Sequence, residues 1–350
     1  MKKIIPIFLL LLCHHYCFAQ TGNAKALVDE GVALHDKGDY ENALKKYDAA
    51  IAEDATYIKG HYEKSYTLYA LKKYEECITI SKQIIKQFND DIILKAVYVQ
   101  CGSALDDWGK QEEAIKMYSQ GLKKYPDYYL LHFNKGITHL VMKDGEKAYD
   151  AFKDGLKANP LHASGYYRVA ALLKSTNHIP AMMAGIMHLI IEPDSKRAVE
   201  TFNDLKTLLY ANVKKTGEKS VTITMDVSMF DTKKTKKEPD NFRMQEMLFT
   251  MSSALDKDSV MNTITKTEIE KFDLKLQLLI NSLNNNEKGF FSERYVPFFK
   301  KIKENNFTMI VSRLVFSNTG DERNDAWLKT NTDKVDEFYN WLKEYQWPVK

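Results

Sequence analysis

Small and hydrophobic residues recur along the first half of the chain with a period close to 34 residues. A small residue is followed by a second one twelve positions later, or eleven in the last copy, and the first members of these pairs lie 34, 37, 34 and 34 residues apart. The pairs are Gly31 with Ala43, Ser65 with Cys77, Gly102 with Ala114, Gly136 with Ala148, and Ala170 with Ala181. Small side chains let two helix backbones approach closely where they cross. The pattern therefore predicts about five consecutive pairs of antiparallel helices over residues 23–193.

Aromatic residues, prolines and glycines support the same arrangement. Four positions after the second small residue, an aromatic side chain fills the space above the predicted crossing in three copies, at Tyr47, Tyr118 and Phe152. The last three units end at a proline, which cannot continue a helix, at Pro126, Pro160 and Pro193. The turns inside the pairs contain a glycine that can end a helix, at Gly38, Gly109 and Gly145.

This repeat resembles the tetratricopeptide repeat, and the resemblance covers about Ala24 to Pro193. Proteins of this kind stack their helix pairs into a solenoid, and the first helix of each pair lines its concave face. The fold class predicted on this basis is mainly α, a tetratricopeptide-type right-handed α-solenoid followed by a small α+β C-terminal domain.

The resemblance also identifies the side chains expected to line the concave face. These positions are aromatic and apolar with one acidic residue among them: Tyr62, Tyr66, Tyr69, Val99, Asp106, Phe133, Ile137, Leu140 and Tyr167. A soluble protein rarely exposes a large apolar surface without a function for it. Two interpretations stay open at this point. Either a peptide or domain of a partner protein binds there, or the C-terminal domain folds back over the surface.

One type of tetratricopeptide groove does not fit this chain. Chaperone-binding repeats hold a C-terminal carboxylate with Lys and Asn at the fifth and ninth positions of the first repeat. This sequence has Val28 and Val32 there, and neither can bind a carboxylate.

The pattern changes after the repeats. Residues 194–213 are predicted to form a capping helix that begins after Asp194 and Ser195, and residues 214–350 a separate α+β domain whose family we do not identify. Alternating apolar and polar residues over Val221–Met229 predict a half-buried strand, and the denser apolar run Phe307–Phe316 a buried one, which we expect to pair with the first. Helical patterns lie around residues 242–255, 269–283 and 294–305, and from Thr332 onward.

The first 19 residues are typical of a signal peptide. Met1-Lys2-Lys3 is basic, residues 4–12 are apolar, and Cys17-Phe18-Ala19 resembles a cleavage site. Cys13 and Cys17 follow Leu12 and Tyr16 rather than the small residue that usually precedes a lipid-modified cysteine. We therefore expect cleavage near Ala19 and export to the periplasm or the exterior. No membrane span is predicted in the remaining chain.

Charge and cysteine positions argue against nucleic-acid binding and against a disulfide bond. Loss of Lys2 and Lys3 would reduce the formal net charge from +3 to +1, so no overall positive field attracts nucleic acid. The basic cluster Lys233–Lys237 is followed by Glu238 and Asp240, which is typical of a solvated loop. Cys77 and Cys101 occupy predicted core positions, which favours buried thiols over a disulfide.

The sequence contains none of the glycine-rich nucleotide-binding, nucleophile-elbow or zinc-protease motifs. His132 and His139 lie on one predicted helix face, but no third ligand joins them at metal-binding spacing. No catalytic residue, metal or cofactor is predicted. The leading hypothesis is a scaffolding protein of the bacterial envelope that binds a protein or peptide partner. The alternative is an envelope enzyme whose C-terminal domain is catalytic and is recruited by the repeats.

Overall fold

A computed structural model of the chain describes residues 7–89, 92–217, 220–224, 239–256, 267–284 and 288–348, with side chains from Gly22 onward. It divides into two compact units, Met1–Ala158 and Asn159–Lys350. The boundaries that the sequence predicts at residues 193 and 213 stay predictions.

The described part of the first unit consists of helices arranged in consecutive pairs. Each helix packs on the next one, and α1, α3, α5 and α7 also pack on one another in that order. The mainly α class predicted for this region is confirmed. The helices are α1 (Ile7–Asp36), α2 (Tyr40–Glu53), α3 (Ile58–Ala70), α4 (Tyr74–Gln87), α5 (Leu94–Asp107), α6 (Gln111–Lys124), α7 (Tyr129–Val141) and α8 (Gly145–Ala158).

An aromatic ring lies against a glycine in three of these four pairs. A Cβ atom added to Gly102 would come within 2.3 Å of the Tyr118 ring, and one added to Gly136 within 2.5 Å of Phe152. Tyr47 lies in the same way on Gly31. In the remaining pair both positions are serines, Ser65 and Ser81, and both are fully buried. The predicted contact between small and aromatic positions is therefore present. Where the first position is glycine the second is aromatic, and where the first is serine the second is also serine.

The turns inside the pairs need one residue with a positive φ. Gly38 and Gly109 take φ values of +80° and +83°, as the sequence predicts. In the second and fourth pairs, Lys72 and Lys143 adopt φ values of +58° and +60° instead. Gly145, expected to end a helix, is the first residue of α8. That expectation was wrong, because the lysine two residues earlier takes the left-handed conformation.

Cys77 and Cys101 of the first unit are buried free thiols, as predicted.

The second unit contains the fifth helix pair and the C-terminal region. The elements of the second unit are α9 (Ala163–Leu173), α10 (His178–Ile191), α11 (Lys196–Leu209), β1 (Val213–Lys215), β2 (Val221–Ile223), α12 (Arg243–Asp256), α13 (Glu268–Ser282), α14 (Phe290–Glu304), α15 (Thr308–Val315), a 3₁₀ turn (Ser317–Thr319), α16 (Glu322–Thr330) and α17 (Thr332–Glu344).

Helix α10 forms the centre of this unit. All its residues from Ile179 to Ile190 are buried, and it packs on α9, α11, α12 and α15. His178 at its start lies 2.7 Å from Glu246 of α12, and the carbonyl oxygen of Ile190 near its end accepts a 3.0 Å hydrogen bond from Tyr339 of α17. A helix that is apolar on every side needs neighbours on every side. Since α10 is the second helix of its pair, the C-terminal helices cover the outer side of the fifth repeat.

One histidine of α10 illustrates this burial. The side chain of His188 is inaccessible to solvent, and its Nδ1 lies 2.9 Å from the Thr201 hydroxyl oxygen of α11. Burial, reinforced by the nearby Arg197 charge, lowers the pKa of His188 to about 4. The ring is therefore neutral at physiological pH and acts as a polar link between α10 and α11.

The predicted capping helix corresponds to α11. Ser195 is its N-cap residue, but the hydroxyl makes no capping hydrogen bond. Leu205 and Leu209 are buried, together with Ala198 and Thr201. Val199 is 46% exposed, because α11 turns Ala198 and Thr201 inward.

The predicted strand over Phe307–Phe316 is wrong, since these residues contain helix α15. A short, dense apolar run does not distinguish a strand from a buried helix by periodicity alone. Here Ile310, Val311, Leu314 and Val315 share one helical face, and α15 packs on α10 and α13. The four predicted helices are present as α12, α13, α14 and α17, whereas α16 was not predicted.

The first predicted strand is only partly represented. β2 covers Val221–Ile223 and pairs antiparallel with β1, with Val213 opposite Ile223. Ile223 is 37% exposed, so the described part is not half-buried as expected. Residues 225–229 of the predicted strand, like the basic cluster Lys233–Lys237, lie outside the described residues. The predicted pairing of two distant strands is replaced by a local hairpin.

Gly102→Ala tests the ring-on-glycine contact. The new methyl group would overlap the Tyr118 ring, and overpacking of this kind costs about 1–3 kcal/mol. We expect the free energy of unfolding to fall by that amount in urea titrations followed by far-UV circular dichroism.

Gly155→Ala in the same unit is the matched control, because its added Cβ would meet its nearest neighbour at an ordinary 3.4 Å. This change should raise stability by roughly 0.5–1 kcal/mol through helix propensity. Equal effects of the two substitutions would contradict the packing described here.

Candidate peptide-binding groove

Three adjacent first helices, α3, α5 and α7, carry eight of the nine predicted groove residues. All eight are partly or largely exposed, and none belongs to the fully buried core. We call this face of the first unit the groove. Its side chains are Tyr62, Tyr66 and Tyr69 from α3, Val99 and Asp106 from α5, and Phe133, Ile137 and Leu140 from α7. Their role in binding stays a prediction.

Tyrosine rings form one end of the groove. The rings of Tyr62 and Tyr66 are stacked with centroids 6.3 Å apart, and Tyr66 lies 5.2 Å from the ring of His35. Tyr66 is 44% exposed. Burial raises the pKa of Tyr62 to about 12, so its hydroxyl stays protonated. This end therefore offers flat aromatic faces together with hydroxyl groups, a combination common at protein interfaces.

Apolar side chains form the other end. Phe133 is held against Phe152, with ring centroids 5.6 Å apart, and Ile137 and Leu140 follow it on the same helix. Val141 and Met142, directly after Leu140, are 56% and 41% exposed. This end is suited to contact with another apolar surface.

A row of polar side chains, four of them buried, joins the first helices of neighbouring repeats. Each hydrogen bond runs between helices of neighbouring repeats: His35 and Thr67 at 2.7 Å, Gln100 and Ser65 at 2.9 Å, Tyr69 and Asp107 at 2.6 Å, and Thr138 and Asp106 at 2.8 Å. We call these four bonds the polar row. Hydrogen bonds between buried or partly buried groups fix the relative positions of the helices that carry them.

The polar row was not predicted from the sequence. Tyr69 and Asp106 were predicted as groove residues, but their hydrogen bonds to neighbouring repeats were not. A signal was available, because the bonded residues are separated by 32, 35, 38 and 32 positions, close to one repeat. Polar residues spaced by one period on the same helical face can meet across neighbouring repeats.

Two adjacent carboxylates lie at the centre of the groove. Burial raises the pKa of Asp106; the hydroxyl of Thr138 and the amide of Gln111 lower it, and the charge of Asp107 raises it further. Oδ1 of Asp106 is buried and accepts no hydrogen bond from the described residues. Oδ2 of Asp107 accepts a hydrogen bond from Tyr69. Each carboxylate is thus bonded to a neutral hydroxyl group.

The ninth predicted residue, Tyr167, lies in the second unit and has its own partners there. Its hydroxyl donates a 2.7 Å hydrogen bond to Glu200 of α11, and Arg197 lies over its ring. Nearby, Lys174 of α9 pairs with Asp204 of α11 at 2.8 Å. In the fifth repeat, α11 therefore occupies the side where a partner was expected to contact Tyr167.

The structure also bears on metal binding and on membrane spans. In the described part of the chain, no three His, Cys, Asp or Glu side chains come together as a metal-binding group. Within the same residues, no helix combines the length and the apolar character needed to cross a bilayer.

Comparison with known proteins identifies the repeats. No family model matches the chain. A TPR repeat-containing protein of Methanocaldococcus jannaschii is 30% identical over 158 residues, which cover 36% of this chain and 28% of that protein. The chain thus spans less than a third of the length of this relative. Together with the helix pairs of the structure, this similarity confirms the tetratricopeptide-type repeats predicted from the sequence.

Two solved structures are similar to part of this chain at low sequence identity. The Pseudomonas aeruginosa protein pilF is 17% identical, with a TM-score of 0.44 over 55% of this chain and 90% of that one. YrrB, a TPR protein with an unusual peptide-binding site, is 16% identical, with a TM-score of 0.39 over 54% of this chain and 97% of that one.

Thr138→Val tests whether the polar row stabilises the first unit. The substitution keeps the shape of the side chain but removes the donor to Asp106 Oδ2. Loss of one partner of a buried hydrogen bond costs about 1–3 kcal/mol, and urea unfolding should show that loss.

Thr79→Val on the exposed side of α4 is the control, since its hydroxyl donates a hydrogen bond to the Glu75 carbonyl oxygen within the same helix. Its effect should stay within about 0.5 kcal/mol. Unchanged stability in Thr138→Val would mean that the bond contributes nothing to repeat packing.

Proposed function

We propose that this chain is a scaffolding protein whose groove binds a peptide segment or a domain of a partner protein. The observation that carries the proposal is the continuous series of partly exposed aromatic and apolar side chains on α3, α5 and α7. Interfaces take most of their binding energy from a few aromatic and apolar anchors of this kind. The tetratricopeptide-type repeats agree with such a role.

The rigidity of the groove supports the same proposal. The polar row connects α1, α3, α5 and α7 in sequence, and the ring of Phe152 supports Phe133 from below. A surface whose side chains are already fixed loses less conformational entropy when a partner binds. The groove residues are therefore held in a defined arrangement before any contact is made.

A cavity between two described C-terminal helices does not favour the enzymatic alternative. A cavity of about 330 Å³ lies between α12 and α13, and its lining is largely apolar: Leu248, Phe249, Ser252, Leu278, Leu279, Asn281 and Ser282. Acid–base catalysis needs ionisable groups within hydrogen-bond reach of a substrate, and this lining contains none. The scaffolding function is the one we put forward.

Replacing Tyr62 and Phe133 together by Ala tests the groove. Wild-type protein, the double variant and Tyr149→Ala, a control on α8, would be immobilised and incubated with an envelope fraction of the native organism. Loss of two anchors should reduce recovery of specific partners at least about tenfold, while the control recovers them fully.

Unfolding curves of each variant accompany this experiment. If the double variant is destabilised, Tyr66→Ala replaces it, because this ring is 44% exposed and contributes less to the core. Unchanged recovery with folded groove variants would contradict the proposed function.

We further propose export to the periplasm or the exterior after cleavage near Ala19. The basic start, the short apolar run and the small residue at position 19 support this. Mass spectrometry of the protein from native cells should find an N-terminus close to Gln20. Ala19→Arg should block processing and leave the longer form. A wild-type protein that keeps Met1 and fractionates with the cytoplasm would contradict export.

A further inference from the structure

The middle of the groove has a chemistry different from its two ends. Asp106 and Asp107, the last two residues of α5, lie between the tyrosines of α3 and the apolar side chains of α7. The hydrogen bond to Tyr69 connects Asp107 to one end, and that to Thr138 connects Asp106 to the helix of the other. The two carboxylates therefore lie on the helix between those that carry the two ends of the groove.

The intramolecular bonds leave the negative charge of this pair unbalanced. Tyr69 and Thr138 are neutral donors, and among the described residues no Lys or Arg forms an ion pair with either aspartate. Two carboxylates offer about eight acceptor positions in total, far more than two hydroxyl groups can occupy. Partial burial and repulsion from Asp107 both disfavour the charged state of Asp106. A cation placed here would stabilise that charged state.

Acidic character extends toward the tyrosine end. Glu63 follows Tyr62 on α3, and its pKa is raised mainly by burial; Lys59 lowers it, and the charge of Asp36 raises it further. The faces of tyrosine rings also attract cations. The groove therefore combines apolar contact surface with a negative potential at its centre, which is the reverse of a site for a C-terminal carboxylate.

We propose that the segment bound in the groove carries a lysine or arginine between apolar residues, and that its cation binds Asp106 and Asp107. This inference rests on the peptide-binding function proposed above and specifies the chemistry of the partner. The apolar residues on either side contact the tyrosines of α3 and the Phe133, Ile137 and Leu140 side chains of α7. Charge complementarity at the centre sets which segments bind and in which register.

Peptide selection on the full chain tests the inference without knowledge of the natural partner. A phage-displayed library of random dodecapeptides would be selected on wild-type protein, after removal of phage that bind the Tyr62→Ala, Phe133→Ala variant. The recovered peptides should contain a lysine or arginine flanked by aromatic or aliphatic residues. The strongest peptide is then synthesised, together with a version in which the basic residue is replaced by Gln.

Binding constants of both peptides would be measured on wild-type protein, on the Asp106→Asn, Asp107→Asn variant, and on Asp150→Asn of α8 as a control. Asparagine keeps an acceptor for Tyr69 and for Thr138, so the variant is expected to fold. Loss of the charge-assisted contact should weaken binding of the basic peptide about tenfold or more. The Gln peptide should bind the wild type and the double variant equally, and Asp150→Asn should have no effect.

The possible results separate this inference from the function on which it rests. Groove-dependent peptides without a basic residue, or binding that ignores the loss of both carboxylates, would overturn the inference and leave peptide binding intact. Failure to recover any groove-dependent peptide would overturn both. The wild-type chain could also self-associate in a way that the peptide reverses. The groove would then hold a second copy of this chain and not a segment of another protein, and the inference would be overturned.

Discussion

The packing of an aromatic ring against a bare helix backbone is the contact from which the rest of the first unit follows. At Gly31, Gly102 and Gly136 there is no room for even a Cβ atom beside the ring of the partner helix. This fixes how closely the two helices of a pair approach. Successive pairs then stack in a constant register, which brings polar side chains one repeat apart into hydrogen-bond distance. The groove thus depends on residues that do not line it.

The first and second helices of the repeats have different surroundings. In the second unit, α10 is apolar on every side and is surrounded by α9, α11, α12 and α15. The C-terminal helices of that unit therefore cover the outer side of the fifth repeat, and α11 packs on the face of α9 that carries Tyr167 and Lys174. The first helices of the first unit instead keep aromatic, acidic and apolar side chains partly exposed. The proposed binding surface is therefore formed by α3, α5 and α7.

The repeats were predictable because their signal is redundant. The pairs of small residues, the aromatic position and the terminal prolines recur at one period. A single deviation, such as serine in place of glycine at Ser65, therefore does not hide the pattern. Phe307–Phe316 had no such redundancy, and local periodicity alone did not distinguish α15 from a strand. The groove positions followed from the repeat register. The partners of Tyr69, Asp106 and Tyr167 depended on side chains of neighbouring helices, which a position-by-position analysis does not bring together.

Site-specific photocrosslinking in living cells can show whether a partner binds in the groove. A photoreactive phenylalanine analogue would replace Tyr66 in the groove or Lys116 on the exposed side of α6, in protein produced from its own chromosomal locus. Irradiation is expected to link a discrete partner to the protein at position 66 and not at position 116. A partner linked only at position 116, or equally at both, would contradict the assignment of the groove as the binding surface.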